Sequence, residues 1–485
     1  MKKSIFILLL FISVFRCNTP TPVNDFSTTA DFYNSLIVDE EIDVAKLNLF
    51  FTNMPKGGDI HHHYSGSIYA ETYLAWVKIK GWKIDSCTLK IISDTSKKSK
   101  CKSLTTDEVI QNSTVYRKLL ELWSDKDYSN HYHGEVAPDQ SFFNTFTFFG
   151  KIAHQYVPRG LKILKERAIK ENVIYLETML SVVGVYSSDF FSKDTDLNTL
   201  LWNAKSQSEV DQILEKIDKI YLPNKDFNAT IDEFVNNTKA NHKGIDTDEF
   251  TMRFQTYAVR VLPPLQVYTD LLSGFLATEK SSLIVGVNIV APENNYTALK
   301  DYTLHMRMYN YLNRKYPKVN RALHAGELTI GMVKPVDLLF HINEAIDIAK
   351  AQRIGHGVDL PYESESFELL NKLKENAAVE INLTSNQFIL GVEGNEHPYL
   401  IYSSYDVPLV ICTDDSGVSR DNLTHEYVLL ASRYQPSYET IKEYTYNSIQ
   451  YSFLTDDDKE KSRATLDAKF KEFESEIAAL AKKFK

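Results

Sequence analysis

The sequence has few cysteines, no excess of positive charge and no internal repeat. Only four of its 485 residues are cysteine and no CxxC pair occurs, which argues against a zinc finger or a dithiol redox motif. The net charge of −10 argues against a nucleic-acid backbone as the main partner. With 43% hydrophobic and 24% charged residues, the composition is typical of a globular protein with a large core.

The N-terminus differs from the rest of the chain. Residues 1–17, "MKKSIFILLLFISVFRC", place two lysines before an apolar run that is too short to span a bilayer. This order predicts a signal peptide and export, either as a secreted protein or as a periplasmic or cell-surface lipoprotein with Cys17 as the lipid acceptor. Arg16 stands where lipoprotein processing favours a small residue, and a buried N-terminal helix is the alternative. Residues 18–53 are then a polar tether and a first helix.

Two cysteines bracket a polar loop. Cys87 and Cys101 enclose a Lys/Ser-rich stretch with little means of burying itself. In an exported protein this spacing favours a disulfide that closes the loop, and two free thiols are the alternative.

Strand-like apolar runs alternate with helical patterns along the chain. The runs lie at residues 59–63, 173–180, 251–261, 283–290, 321–326, 353–357, 379–385 and 408–415. Eight such runs predict an α/β fold, a (β/α)₈ TIM barrel, with helical or loop insertions near residues 80–140 and 184–250. A doubly wound open sheet is the alternative, but no Gly-rich phosphate loop follows the first run.

The first run carries three consecutive histidines in "MPKGGDIHHHYSGS" (54–67). Because side chains alternate along a strand, His61 and His63 are expected to share one face and His62 the other. A His-x-His pair at a strand end is a good start for a metal site, and a polar surface cluster is the alternative.

Other polar residues end later strands. They are His324 with Glu327 after the fifth run, His356 after the sixth, and Asp414 with Asp415 after the eighth. The carboxyl ends of barrel strands form one rim, so these side chains are predicted to meet. Three histidines and an aspartate with room for water predict a metal site for hydrolysis.

Several motifs carry a family resemblance. "MPKGGDIHHH", "LHAGE", "RIGHG", "NLTSNQ" and "CTDD", in this order, resemble the adenosine deaminase family. The "MPKGG" opening and the cysteine-bracketed insertion look most like its secreted growth-factor branch. The resemblance covers residues 54–485 and is highly specific.

The resemblance implies a zinc-dependent deamination of adenosine, and of 2′-deoxyadenosine, to inosine and ammonia outside the cytoplasm. One Zn²⁺ per chain is expected on His61, His63, His324 and Asp414. Glu327 is expected to protonate the purine N1, and His356 to orient water and accept its proton. Asp415 is expected to bind N7, with Gly326 lining the purine slot. The expected partner is a small nucleoside, with no nucleic acid and with membrane contact only through a lipid on Cys17.

The chain departs from the family in two places. Tyr64 and Ser65 follow the His-x-His where many members have an aspartate, and Asn288 opens "NIVAPEN" where the family often has "DLAGDE". A weaker contact with the ribose 5′-hydroxyl is therefore expected.

Two other functions compete with the deaminase. A two-metal barrel hydrolase usually needs a bridging ligand at the fourth strand, often a modified lysine, and "LIVGVNIV" has none. An exported nucleoside-binding protein without turnover is expected to have lost zinc or proton-transfer residues, and none is missing.

Two further patterns are assigned to structure. His131 and His133 repeat the His-x-His spacing in a polar segment and are expected to be surface residues. The aromatic run 142–152 is expected to be a helix face in the core, with a lid over the purine as the alternative.

Overall fold

The computed structural model describes residues 24–38, 42–94, 100–126, 128, 136–187 and 195–483. Within these ranges the helices are α1 (Asp25–Ile37), α2 (Val44–Asn53), α3 (Ala70–Lys80), α4 (Thr106–Gln111), α5 (Ser113–Trp123), α6 (Pro138–Ala153), α7 (Val157–Lys170), α8 (Thr195–Asn203), α9 (Gln207–Tyr221), α10 (Lys225–His242), α11 (Pro264–Lys280), α12 (Tyr296–Lys315), α13 (His341–Asp347), α14 (Ser366–Asn376), α15 (Leu383–Leu390), α16 (Tyr399–Ser404), α17 (Leu423–Tyr434), α18 (Tyr438–Gln450) and α19 (Asp456–Ala481).

The strands form a large sheet and a small one. They are β1 (Gly57–His63), β2 (Lys83–Asp85), β3 (Ile91–Ile92), β4 (Ser103–Leu104), β5 (Val173–Ser181), β6 (Thr251–Val259), β7 (Ile284–Val290), β8 (Asn320–Ala325), β9 (Arg353–His356), β10 (Ala378–Ile381) and β11 (Leu409–Ile411). The large sheet has the order β1-β5-β6-β7-β8-β9-β10-β11, and each neighbouring pair is parallel. The small sheet, β3-β2-β4, is antiparallel.

The large sheet is nearly closed. Its two edges meet through a parallel bridge between His62 and Asp414. There the Asp414 N–H donates to the His61 carbonyl at 2.9 Å, and the His63 N–H donates to the Asp414 carbonyl at 3.2 Å. With helices between the strands, the fold is a (β/α)₈ TIM barrel, and the prediction from the sequence is confirmed.

One predicted strand is wrong in its second half. Residues 379–385 were expected to be extended, but β10 ends at Ile381 and α15 begins at Leu383. The buried carboxylate of Glu426 accepts the N–H groups of Leu383 (2.7 Å) and Thr384 (3.2 Å). These donors have no partner inside a helix, so a carboxylate at this point favours a helix start.

The start of β1 explains the glycines before the histidines. Gly57 has φ +66°, and a Cβ built there would lie 2.2 Å from the Thr445 carbonyl oxygen of α18. Only glycine allows both this backbone conformation and this close approach. The hydroxyl of Ser448 on α18 also accepts the Gly58 N–H at 2.7 Å, which fixes β1 against the barrel wall.

The insertion after α3 is held by a disulfide between Cys87 and Cys101. It contains the small sheet, α4 and α5. The aromatic run lies on α6, where Phe142 and Phe149 are buried, so the core interpretation applies to these two rings. No helix in the described residues is both long and apolar enough to cross a membrane. Cys17, His131 and His133 lie outside the described residues.

Candidate metal centre and active site

The three consecutive histidines separate as strand alternation predicts. The Nε2 atoms of His61 and His63 lie 3.5 and 3.2 Å from Asp414 Oδ1. His62 points to the other side of β1, where its Nδ1 lies 2.9 Å from the hydroxyl of Thr178. Because His62 is bound to a side chain of β5, it is not part of the cluster formed by its neighbours.

Four side chains from three strand ends converge beside Asp414. His63 Nε2 lies 3.1 Å from His324 Nε2, and His61, His63, His324 and Asp414 each offer a ligand atom within 4.8 Å of the others. His61 Nε2 is buried and has no hydrogen-bond partner among the residues that the structure describes. Three imidazole nitrogens and one carboxylate oxygen form the donor set that Zn²⁺ prefers. The residues present therefore fit a metal.

The outer nitrogens of two histidines are held by buried partners. His61 Nδ1 lies 2.6 Å from Glu380 Oε2, and His324 Nδ1 lies 2.9 Å from Asn288 Oδ1. Such partners orient metal-binding histidines and fix the nitrogen that faces the metal. Gly355 completes the cradle, because a Cβ there would lie 2.5 Å from His61 Cε1.

The backbone is strained at two positions in the site. Asp414 and His356 have φ of +58° and +72°, values that residues with a Cβ rarely adopt. Non-glycine residues in this region cluster at functional sites, where the surrounding structure holds them. The strain thus falls on one metal-ligand candidate and on one catalytic candidate.

The carboxylic acid of Glu327 lies beside the cluster. Its Oε1 is 3.7 Å from His356 Nε2. Burial, together with the negative charges of Asp414 and Glu293, raises the pKa of Glu327 well above its usual value. The raised pKa favours the protonated carboxyl, which is the form that can donate a proton.

Asp415 is a second buried acid in the site. Burial is the main cause that raises its pKa to about 8, and within the described part of the chain its Oδ1 has no hydrogen-bond partner. This oxygen lies against Gly66, where a Cβ would come within 1.4 Å of it. Asp415 thus keeps one carboxyl oxygen without a hydrogen bond in the described residues, next to the ligand candidate Asp414.

A row of hydrogen bonds fixes the ring of His356. The Tyr399 N–H donates to His397 Nδ1 at 3.1 Å, so the proton of neutral His397 is on Nε2, which lies 3.1 Å from Asn386 Oδ1. The Asn386 amide then faces His356 Nδ1 with its Nδ2, at 2.9 Å. Neutral His356 therefore carries its proton on Nε2, the nitrogen nearest Glu327.

Glu293 holds the backbone beside Glu327. Its two carboxylate oxygens accept the N–H groups of Gly326 (3.2 Å) and Glu327 (2.9 Å). Although burial opposes ionisation, the charge of Arg260 is the largest of the effects that lower the pKa of Glu293 to about 2. Gly326 has φ +74°, and its missing side chain faces Asp359 rather than the ligand cluster.

Sequence reasoning missed Glu293, Asn386, His397 and Glu380 as parts of the site. The first follows Pro292 in the segment that departs from the family pattern, and Asn386 lies inside the quoted "NLTSNQ" motif. No local signal marks His397 or Glu380, because their partners are far away in the sequence. Ser65 lies two residues after the His-x-His, and its carbonyl accepts the Tyr73 hydroxyl at 2.6 Å.

Comparison with known sequences points to one family. Residues 208–469 match the adenosine deaminase family, a range that includes His324, Glu327, His356, Asp414 and Asp415. The chain is 31% identical over 177 residues to an adenosine deaminase of Clostridium kluyveri, covering 36% of this chain and 46% of that protein. It is 33% identical over 147 residues to one of Enterococcus faecalis, covering 30% and 40%. The matches thus span less than half of these relatives.

Solved structures share the fold at low sequence identity. An Arabidopsis N6-mAMP deaminase matches with a TM-score of 0.54 and 18% identity, over 87% of this chain and 99% of that one. An adenine deaminase from Arthrobacter aurescens matches with a TM-score of 0.53 and 15% identity, over 85% of this chain and 98% of that one. A Burkholderia ambifaria amidohydrolase with bound Zn matches with a TM-score of 0.54 and 15% identity, over 91% of this chain and 96% of that one.

Proposed function

Because the chain belongs to the adenosine deaminase family, we propose that it hydrolyses adenosine, and 2′-deoxyadenosine, to the inosine nucleoside and ammonia. The observation that carries this proposal is the buried carboxyl of Glu327, with its raised pKa, beside four converging ligand atoms. A proton donor and a metal site at one rim of a barrel are the two parts that hydrolytic attack on a purine requires.

His61, His63, His324 and Asp414 would hold one Zn²⁺ ion. Bound there, the ion would lower the pKa of water towards neutrality and so make hydroxide available. Burial opposes ionisation of Asp414, but the imidazoles of His61 and His63 beside it hold its pKa well below the usual value. Asp414 is therefore an ionised carboxylate, the form that binds a metal.

The chain's own acids would handle the purine. Glu327 would donate its proton to N1, which makes C6 electrophilic, and the hydroxyl of water would be added at C6. The other proton of this water would pass to the Glu327 carboxylate and restore the acid. Loss of ammonia then takes the hydroxyl proton and breaks the C6–N6 bond, leaving a carbonyl. Asp415, whose pKa is about 8, would donate a hydrogen bond to N7.

His356 would orient the attacking oxygen. With its Nδ1 facing the Asn386 amide, neutral His356 presents an N–H at Nε2. Burial is the main cause that lowers the pKa of His356 to about 3, so the neutral form dominates near pH 7. This supports the orienting part of its expected role. In this tautomer Nε2 donates a hydrogen bond and does not accept the proton of water.

The nucleoside is favoured over its phosphate esters. Ser65 and its neighbours bring no lysine or arginine next to the His-x-His, so this segment offers no phosphate contact. Adenine and N6-mAMP, named for similar structures, are the informative comparison substrates.

Export and the growth-factor branch are part of the proposal. The disulfide between Cys87 and Cys101 supports an oxidising compartment. Mass spectrometry of the mature protein from a native host would test this. A lipid on Cys17 would identify a lipoprotein, a free new N-terminus a secreted protein, and an intact residue 1 on cytoplasmic protein would refute export.

The activity itself has a direct assay. Purified protein should lower the absorbance of adenosine with release of ammonia, a chelator should stop the reaction, and added zinc should restore it. Turnover of adenine or N6-mAMP but not adenosine would change the substrate. Adenosine binding without turnover in zinc-loaded protein would identify a nucleoside-binding protein instead.

A further inference from the structure

A buried row of polar side chains crosses neighbouring strands and ends at a metal-ligand histidine. It runs from Glu177 on β5 through Gln255 on β6 and Asn288 on β7 to His324 on β8. Glu177, Gln255 and Asn288 are each at most 1% exposed. Polar groups this deeply buried are costly unless every donor has an acceptor, so the direction of each hydrogen bond is constrained.

Glu177 can only accept. Its Oε1 receives hydrogen bonds from Arg353 (2.5 Å) and from Gln255 Nε2 (2.8 Å). Its Oε2 receives the Phe453 N–H at 3.0 Å. A guanidinium and a backbone N–H never accept, so both carboxylate oxygens are fixed as acceptors.

The orientation of each amide follows from Glu177. Gln255 must turn its Nε2 to Glu177 and therefore its Oε1 to Asn288, whose Nδ2 donates to it at 3.1 Å. Asn288 then turns its Oδ1 to His324 Nδ1, 2.9 Å away, and this oxygen also accepts the Ile289 N–H at 2.8 Å. The proton of neutral His324 thus belongs on Nδ1, and Nε2, which faces His63, carries no proton.

A second arm starts from the same arginine. Arg353 Nε lies 2.6 Å from Glu380 Oε1, and Glu380 Oε2 lies 2.6 Å from His61 Nδ1. The guanidinium of Arg353 is fully buried and stacks 3.9 Å from the ring centre of Phe453. Arg353 is therefore linked to the outer nitrogens of two histidines: to His324 through Glu177, and to His61 through Glu380.

We propose that Glu177, Gln255 and Arg353 are positioning residues that determine, through Asn288 and Glu380, which nitrogen His324 and His61 offer to the metal. The inference rests on the proposed use of these histidines as metal ligands. It also explains one departure from the family pattern. A neutral Asn288 needs an acceptor for its N–H, and Gln255 supplies one.

The test uses the direction of the row. Asn288→Asp puts a carboxylate oxygen against Gln255 Oε1, so two acceptors face each other. Zinc affinity, measured by competition with a chromophoric chelator, should fall by roughly 10- to 100-fold. Glu177→Gln alone should also weaken binding, because it removes an ionic partner of Arg353.

The double variant gives the decisive result. With both changes, the amide introduced at position 177 can donate to Gln255 Oε1. The turned Gln255 can then donate to the carboxylate introduced at position 288, so the contacts between positions 177, 255 and 288 are reversed and satisfied, while the hydrogen bond from Arg353 to position 177 stays lost. Affinity in Asn288→Asp/Glu177→Gln should therefore recover at least part of the loss seen in Asn288→Asp. Losses that simply add would overturn the proposal. Asn198→Asp, a buried amide on α8, is the matched control and should leave zinc affinity unchanged.

A second measurement needs no variant. Nitrogen NMR of the metal-free wild-type protein should show the proton of neutral His324 on Nδ1, and a proton on Nε2 would refute the inference even if the variants do not fold. Neither measurement involves adenosine. Wild-type protein that binds zinc but does not deaminate adenosine would refute the proposed function and leave the positioning role of these residues intact.

Discussion

The Nε2 atoms of His63 on β1 and His324 on β8 face each other at 3.1 Å. The two residues lie far apart in the sequence, and their strands are separated by β5, β6 and β7 in the sheet order. Two ring nitrogens at this distance cannot both carry protons, and the carboxylate of Asp414 lies 3.2 Å from one of them. Barrel closure thus creates a donor set for a cation.

The adjacent histidines should behave differently when removed. His61→Ala deletes one ligand atom and should abolish stoichiometric zinc binding, measured by elemental analysis after dialysis. His62→Ala should keep its zinc, because His62 contacts Thr178 instead. Since His62 is buried, this variant should lose about 1–3 kcal/mol of unfolding free energy. Zinc loss in His62→Ala but not in His61→Ala would show that the faces of β1 are misassigned.

Glu327→Gln separates binding from chemistry. The amide keeps the shape of the side chain and removes the proton meant for N1. Turnover of adenosine should fall by at least ~10²-fold, the usual effect of losing general acid catalysis, while zinc content stays near one per chain. Wild-type kcat in this variant would remove Glu327 from the mechanism.

The hydrogen bonds from His397 through Asn386 to His356 predict a third effect. Asn386→Asp replaces the N–H that faces His356 Nδ1 by a carboxylate oxygen, so the proton of His356 should move to Nδ1. The Nε2–H that orients the attacking oxygen is then lost, and kcat should fall roughly 10- to 100-fold with little change in zinc affinity. Leucine at the same position removes the donor without adding an acceptor and should have the smaller effect. Equal kcat in wild type and Asn386→Asp would contradict the assigned tautomer.

The fold and much of the site could be predicted because their signals are local. Alternation along β1 separates His62 from His61 and His63, and strand ends in a barrel meet at one rim. The supporting residues carry no such signal. Gln255 and Glu177 read as ordinary positions in apolar strands, and their pairing depends on strand order and register. The strand over 379–385 was predicted too long because the cap, Glu426, comes from a distant helix.

The disulfide should stabilise the insertion rather than the chemistry. Cys87 and Cys101 are separated by 14 residues in sequence, a loop for which cross-linking contributes about 3 kcal/mol in the chain-entropy model. A Cys87→Ser/Cys101→Ser variant should therefore unfold at lower denaturant concentration than wild type and keep its kcat. Reductant should lower the stability of wild type to that of the variant. If reductant changes neither protein, the disulfide is absent from the folded chain.

Asp270 on α11 should make stability depend on pH. It is 2% exposed, and burial alone raises its pKa to about 7 from an ordinary value of 3.8. Between these values the folded state binds the extra proton, so this residue's contribution lowers the unfolding free energy as the pH rises from about 4 to 7. The loss is at most roughly 4 kcal/mol, from about three pKa units at 1.36 kcal/mol each. Asp270→Asn removes this loss, so urea titrations should show the variant more stable than wild type at pH 8, with the difference in stability closing towards pH 4.

The exposed Asp248→Asn is the control and should follow the wild-type dependence of stability on pH. Parallel pH profiles for wild type and Asp270→Asn would show that the buried carboxyl of Asp270 has a partner that keeps it ionised.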